Sequence, residues 1–147
     1  MAERVVAAFA RDAAGWLPGA VEHVGATSLP AGWTKGDVDV NVRVTRDEFG
    51  PAVAALRRQL TIAQPENWTP TFASFSADGY ELPLGVQVTV IGSDDDFLVK
   101  LRDRLIGDPA LAARYDRVKS AAASSGADAY WQAKDEFLTK LLREPTS

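Results

Sequence analysis

A chain of 147 residues with 46% hydrophobic side chains can enclose a proper core, so a single domain over 1–147 is expected. It contains no cysteine, which excludes a disulfide framework, a thiolate metal site and a cysteine nucleophile. The net charge of −4 with dispersed basic residues argues against nucleic acid as a partner. No long apolar run is present, so neither a signal peptide nor a membrane span is expected, and a cytoplasmic location follows by default.

The first predicted element is a helix over residues 3–17, with Val5, Phe9, Ala13 and Trp16 on one stripe and Pro18-Gly19 as its stop. Ala20–Val24 then reads as a strand. It contains the chain's single histidine, His23, which is either a hydrogen-bonded structural residue or an acid–base group. Gly25-Ala26-Thr27-Ser28 follows as a small-residue turn, able to offer backbone N–H groups and hydroxyls to a phosphate. Pro30, Gly32 and Gly36 bring the chain back, and Lys35 faces either phosphate or solvent.

Residues 37–44 alternate strictly, Asp-Val-Asp-Val-Asn-Val-Arg-Val. A period of two predicts a strand with Val38, Val40, Val42 and Val44 on one face and Asp37, Asp39, Asn41 and Arg43 on the other. The rise of a strand puts the two aspartates roughly 6–7 Å apart on the same side. Either that face lies in water, or a divalent cation offsets the repulsion between the like charges. Mg²⁺ suits the second case, since it takes one or two carboxylates plus substrate phosphates.

Thr45 with Glu48 forms a capping-box pattern that opens a helix to about Leu60. Residues 61–70 read as irregular, with Pro65, Asn67 and Pro70 as turn signals. A hairpin follows: a strand through Thr71–Ser76, a turn at Asp78-Gly79, and a return strand from Tyr80 to Ile91, broken or bulged near Pro83 and Gly85. In that return strand Gln87 and Thr89 oppose Val86, Val88 and Val90. Ser93 is expected to cap the next helix, with Asp94, Asp95 and Asp96 either at the favourable end of its dipole or forming a metal site. Gly107-Asp108-Pro109 stops that helix and starts another, and a last helix carries Tyr130, Phe137 and Leu141. The motif Tyr-x-x-x-Lys occurs as Tyr115/Lys119 and Tyr130/Lys134, each lysine beside its tyrosine on one helix face. The lysines either snorkel to water or aim an ammonium at a phosphate.

The run Glu22-His23-Val24-Gly25-Ala26-Thr27-Ser28-Leu29-Pro30, with Lys35 and Asp39 at the matching distance, resembles the signature of the GrpB (UPF0157) family. The likeness resumes at Tyr115, Lys119, Tyr130, Lys134 and Phe137. The resemblance implies the nucleotidyltransferase superfamily and an α+β, two-layer fold with a small mixed sheet of about four strands and about five helices.

It also implies nucleotidyl transfer: Asp37 and Asp39 holding Mg²⁺ (or Mn²⁺) against a nucleoside triphosphate, with His23 near the reacting groups. Gly25, Ala26, Thr27, Ser28, Lys35, Lys119, Lys134, Tyr115 and Tyr130 would surround the phosphates or nucleotide. Arg43, Gln87 and Thr89 would stand behind them. The chain departs from the pattern at three places. The superfamily's third carboxylate falls on Gln87 or Thr89, neither of them an acid, leaving Glu81 or a C-terminal residue to act as base. Ala26 replaces a serine, and Asp37 replaces an apolar residue common in the family.

Three functions are compatible with these residues: a metal-dependent nucleotidyltransferase with a small-molecule or protein acceptor, a non-catalytic nucleotide or phospholigand module, and an enzyme of another class on the same scaffold.

Overall fold

The computed structural model describes residues 2–25, 28 and 37–123. The sequence-predicted features at Ala26, Thr27 and Lys35, the last helix with Tyr130 and Lys134, and the Lys119 side chain lie outside them. The elements run α1 (Ala2–Ala13), β1 (Ala20–Val24), β2 (Val38–Val44), α2 (Arg46–Gln59), β3 (Thr61–Ile62), β4 (Phe72–Ala77), β5 (Leu84–Val90), α3 (Leu98–Gly107) and α4 (Pro109–Ala123). The chain divides into two compact units: Met1–Ser28 with Thr34–Arg102, and Leu29–Trp33 with Asp103–Ser147. Among the described residues no helix is long and apolar enough to cross a membrane.

The first unit is built on one mixed sheet in the order β1-β2-β5-β4-β3. β2 and β5 pair in parallel at its centre, and every other neighbouring pair is antiparallel. This bears out the mixed α+β architecture. The strand beyond the expected four is β3, two residues at the sheet edge, too short to show any alternation.

Strict alternation in β2 has the consequence its sequence predicts. Val38, Val40, Val42 and Val44 are fully enclosed, together with Val86 and Val88 of β5 and Ala73 and Phe75 of β4. α1 supplies Val5, Phe9 and Ala13 to this core, and α2 supplies Ala52 and Leu56. Both ends of the capping box at the start of α2 are made: the Glu48 amide donates to Thr45 Oγ1 (3.3 Å), and the Thr45 amide to Glu48 Oε1 (2.9 Å).

Three boundaries differ from expectation. α1 stops at Ala13, and the Trp16 and Leu17 amides fold back onto the Ala13 carbonyl. The β4–β5 connection is not a two-residue Asp-Gly turn, because Ala77 pairs with Leu84 and residues 78–83 form the loop. Tyr80 accounts for this: its ring packs edge-on against Phe9 (centroids 6.3 Å apart) and its hydroxyl donates to Asp12 (2.7 Å), drawing the loop toward α1. β5 starts at Leu84, so the expected interruption near Pro83 is a break and not a bulge, and the register with β2 is continuous from Leu84 to Val90 through Gly85. Finally, α3 begins at Leu98 and not after Ser93, since two of the three acids ahead of it bond elsewhere.

In the second unit Leu105, Leu111 and Tyr115 are buried. The Leu111 amide donates to Asp108 Oδ1 (3.1 Å), the N-cap contact expected for Asp108-Pro109.

Candidate functional site

Residues paired across neighbouring strands project to the same face of a sheet. The face opposite the valines therefore carries three rows. Val24, Asp39, Gly85 and Ser76 form the first, Glu22, Asn41, Gln87 and Ser74 the second, and Ala20, Arg43, Thr89 and Phe72 the third. His23 pairs with Val40 and belongs to the other, helix-covered face. It is thus on the opposite side of the sheet from Asp39, which separates two groups that the sequence reading placed in one catalytic set. Partial burial holds the His23 imidazole below its usual pKa; Glu3 opposes the shift and Arg102 adds to it.

Asp39 lies between two glycines. A Cβ at Gly25 would come within 2.6 Å of Asp39 Oδ2, and one at Gly85 within 2.7 Å of Asp39 Oδ1. Gly25 also has φ +77°, a left-handed conformation that glycine adopts without strain. The carboxylate and the glycine bend expected to cradle a phosphate are therefore in contact. That bend closes on itself, because the Ser28 hydroxyl (2.6 Å) and amide (3.1 Å) both donate to the Gly25 carbonyl. The Ser28 hydroxyl proton is committed to the turn. Asp37 is different: it is exposed one residue ahead of β2, and its carboxylate accepts no hydrogen bond among the described residues. The aspartate pair is unequal, one held and one in solvent.

Beyond Asp39 the polar face is buried at Asn41, Ser74 and Thr89, while Glu22, Gln87 and Arg43 remain half-buried. Asn41 and Thr89 are fully enclosed. The Asn41 amide nitrogen donates to the Gln87 carbonyl and to Thr89 Oγ1, both at 3.0 Å. Its Oδ1 is buried with no hydrogen-bond partner among the described residues. Arg43 forms a two-pronged pair with Asp96, Nε to Oδ1 and Nη2 to Oδ2, each 2.7 Å. The Gly92 amide donates to the same carboxylate (2.9 Å). Hydrogen bonding to Arg43 holds the Asp96 carboxyl below its ordinary range and raises the guanidinium in turn. Asp95 accepts from the Thr69 and Thr71 hydroxyls at 2.7 and 2.5 Å. Neither helix-dipole placement nor a metal site describes these acids: Asp95 and Asp96 fasten the 91–97 segment to the sheet.

Arg102 of α3 reaches the edge of this face, its Nη1 donating to Glu22 Oε2 and to the His23 carbonyl at 3.0 Å each. The positions offered for a third acid are Gln87, whose carbonyl serves Asn41, and Thr89, whose hydroxyl does the same. The substitute base, Glu81, lies on the 78–83 loop and pairs with Arg4 of α1 (3.0 Å). Among the described residues no group of three or more His, Asp or Glu side chains could share a metal ion. Tyr115 is buried in α4 of the second unit.

Four participants in this arrangement escape the sequence reading: Asn41, Asp96 as a partner of Arg43, Arg102 and Gly85. Gly85 carried a usable signal, since a glycine inside a strand marks close approach of another group. The other three pairings join residues 46 to 80 positions apart, with no local pattern to announce them.

The family model described as GrpB protein matches residues 1–144. A UPF0157 protein of Vibrio cholerae serotype O1 is 30% identical over 133 residues, covering 89% of this chain and 70% of the relative. The crystal structure of the conserved protein GrpB from Enterococcus faecalis superposes with a TM-score of 0.65, covering 96% of this chain and 92% of that one. At 19% identity that likeness shows a shared fold.

Proposed function

The chain belongs to the GrpB family, and from that premise we propose that it is an enzyme of nucleotidyltransferase type. Its substrates would be a metal–nucleoside triphosphate and a small-molecule or protein acceptor. The observation that carries the reading is the Asp39 carboxylate set against the Gly25 bend, an acid and a glycine turn from neighbouring strands in van der Waals reach.

The residues fit a divalent cation in part. Asp39 is held in a glycine cradle and Asp37 is accessible on the same segment. Two carboxylates leave the remaining oxygen ligands to phosphates and water, as Mg²⁺ commonly accepts. The bound ion would supply charge neutralisation of the triphosphate. The chain's own contribution is position: Gly25 lets backbone approach the phosphates, and the Asn41–Thr89 and Arg43–Asp96 contacts hold the strands that carry Asp39. His23, on the far face, has no part in it.

A second reading has its own support. On β5 the residue facing Asp39 is Gly85, and the next two on that face are Gln87 and Thr89, opposite Asn41 and Arg43; none is an acid that could activate an acceptor, which suits a module that binds a nucleotide without transferring it.

Calorimetric titration of the chain with ATP, GTP, CTP and UTP, with Mg²⁺ or Mn²⁺, tests both. At least one nucleotide should bind only with metal, and Asp39→Asn should abolish it. Absence of binding by all four would overturn the proposal. Pyrophosphate release with an acceptor then separates enzyme from binder.

A further inference from the structure

A cleft of about 710 Å³ opens beside the C-terminal half of α1, the end of α2, β3 and the 78–83 loop, all within the first unit. It is a different place from the Asp39 cradle, and its ligand chemistry is independent of any nucleotide bound there. Its volume falls in the range of small-molecule sites, roughly 300–1,000 Å³.

The chemistry of the walls is one-sided. Phe9, Trp16 and Tyr80 supply three aromatic rings, and Asp12 and Asp78 two carboxylates. None of the described residues lining the cleft is Lys, Arg or His. The rings are fixed: Phe9 is buried, Tyr80 stands edge-on to it at 71°, and Trp16 packs against the core. The Tyr80 hydroxyl donates to Asp12 Oδ2 (2.7 Å), which fixes that carboxylate at the wall. Asp78 is exposed and accepts no hydrogen bond among the described residues. Ring faces carry partial negative charge and attract cations, and carboxylates do the same more strongly. An anionic ligand would meet repulsion from both. A neutral apolar ligand would leave the carboxylates unanswered.

We propose that this cleft binds a small organic ammonium ion, its hydrocarbon body against Trp16 and Tyr80, with Phe9 backing the Tyr80 ring, and its charged nitrogen toward Asp12 and Asp78. The class is that of protonated amines with a flat or aliphatic body.

Three probes of nearly equal shape test it by calorimetry on the full chain at neutral pH: phenethylamine, 2-phenylethanol and 3-phenylpropionate, which are cationic, neutral and anionic. The amine should bind about tenfold more tightly than the alcohol, with the carboxylate weakest. Asp78→Asn alters only an exposed loop side chain. It should weaken the amine about three- to tenfold and leave the alcohol unchanged. Trp16→Ala should weaken both. Equal affinity for amine and alcohol, no binding of the amine at millimolar concentration, or an amine affinity indifferent to Asp78→Asn would each overturn the proposal.

Discussion

Asp39 and Gly85 are register partners on β2 and β5, and the carboxylate of the first occupies the space where a side chain of the second would begin. The missing Cβ and the acid are a matched pair, so the two positions should be coupled energetically. Gly85→Ala alone forces a Cβ to within 2.7 Å of Asp39 Oδ1 and should cost about 1–3 kcal/mol, as overpacking does. The remaining Asp39 atoms near that Cβ start with Cγ at 3.8 Å, so Asp39→Ala removes the conflict. Chemical denaturation of the four proteins in the cycle should show the Gly85→Ala penalty nearly vanishing in the Asp39→Ala background. Equal penalties in both backgrounds would contradict the packing described.

Gly25 should behave differently although it touches the same carboxylate. Its Cβ would meet Asp39 Oδ2 at 2.6 Å, and Asp39 Cβ would still stand at 3.1 Å after truncation. The backbone there has φ +77°, which an alanine adopts only with strain. Gly25→Ala is therefore expected to lose about 1–2 kcal/mol even beside Asp39→Ala. Urea midpoints of the single and double variants distinguish this partial rescue from the near-complete one at Gly85.

The Arg43–Asp96 pair anchors the 91–97 segment, and Asp96 is nearly enclosed. Asp96→Asn leaves Arg43 without its counter-charge and should destabilise the chain by about 2–4 kcal/mol. The pH dependence has a definite sign. Asp96 is depressed below its ordinary value of 3.8, so its contribution is present above that value and is lost as pH falls through the lower, folded-state pKa. Wild type should lose stability on acidification below 3.8 more steeply than Asp96→Asn does.

These contacts also explain what the sequence could and could not reveal. β1, β2, the capping box and the valine face follow from patterns within a few residues, and they stand where the pattern puts them. The placement of Asp39 beside Gly25 follows from two strands joined by a short segment. Which side of the sheet His23 takes depends on its register with Val40, which alternation within β1 alone does not fix. The same holds for Asp94-Asp95-Asp96. Acids ahead of a helix ordinarily answer its dipole, but two hydroxyls on 69–71 and a guanidinium on β2 offer Asp95 and Asp96 stronger partners. Local propensity yields there to contacts distant in sequence.

His23 is the chain's single histidine, so its titration can be assigned without ambiguity. Burial favours the neutral ring and lowers its pKa below 6.5. The unfolded chain then binds a proton more readily than the folded one as pH drops. Stability should be fully present above 6.5 and decline as pH falls through the depressed value. Thermal denaturation across that window should show the decline in wild type and a flatter profile in His23→Gln. If nucleotide binding is also measured, His23→Gln should leave it intact, because the ring and Asp39 are on opposite faces of the sheet.

Tyr80 gives the corresponding test at high pH. Its hydroxyl is partly buried and donates to Asp12, and burial first, then that hydrogen bond and the nearby negative charge, push its pKa up to about 12. Ionisation would set a phenolate against a carboxylate and leave neither with a proton to share. The raised value means that the folded chain holds this proton more tightly than the unfolded one. Its stabilising contribution is therefore whole below the ordinary value of 10.0 and disappears as pH rises toward 12. Tyr80→Phe keeps the ring against Phe9 but loses the bond to Asp12, at about 0.5–1.5 kcal/mol. Difference absorbance between wild type and Tyr80→Phe should isolate one phenol that titrates late, near 12. A phenol titrating near 10.0 would show that the Tyr80–Asp12 contact does not persist in solution and would remove one fixed wall of the aromatic cleft.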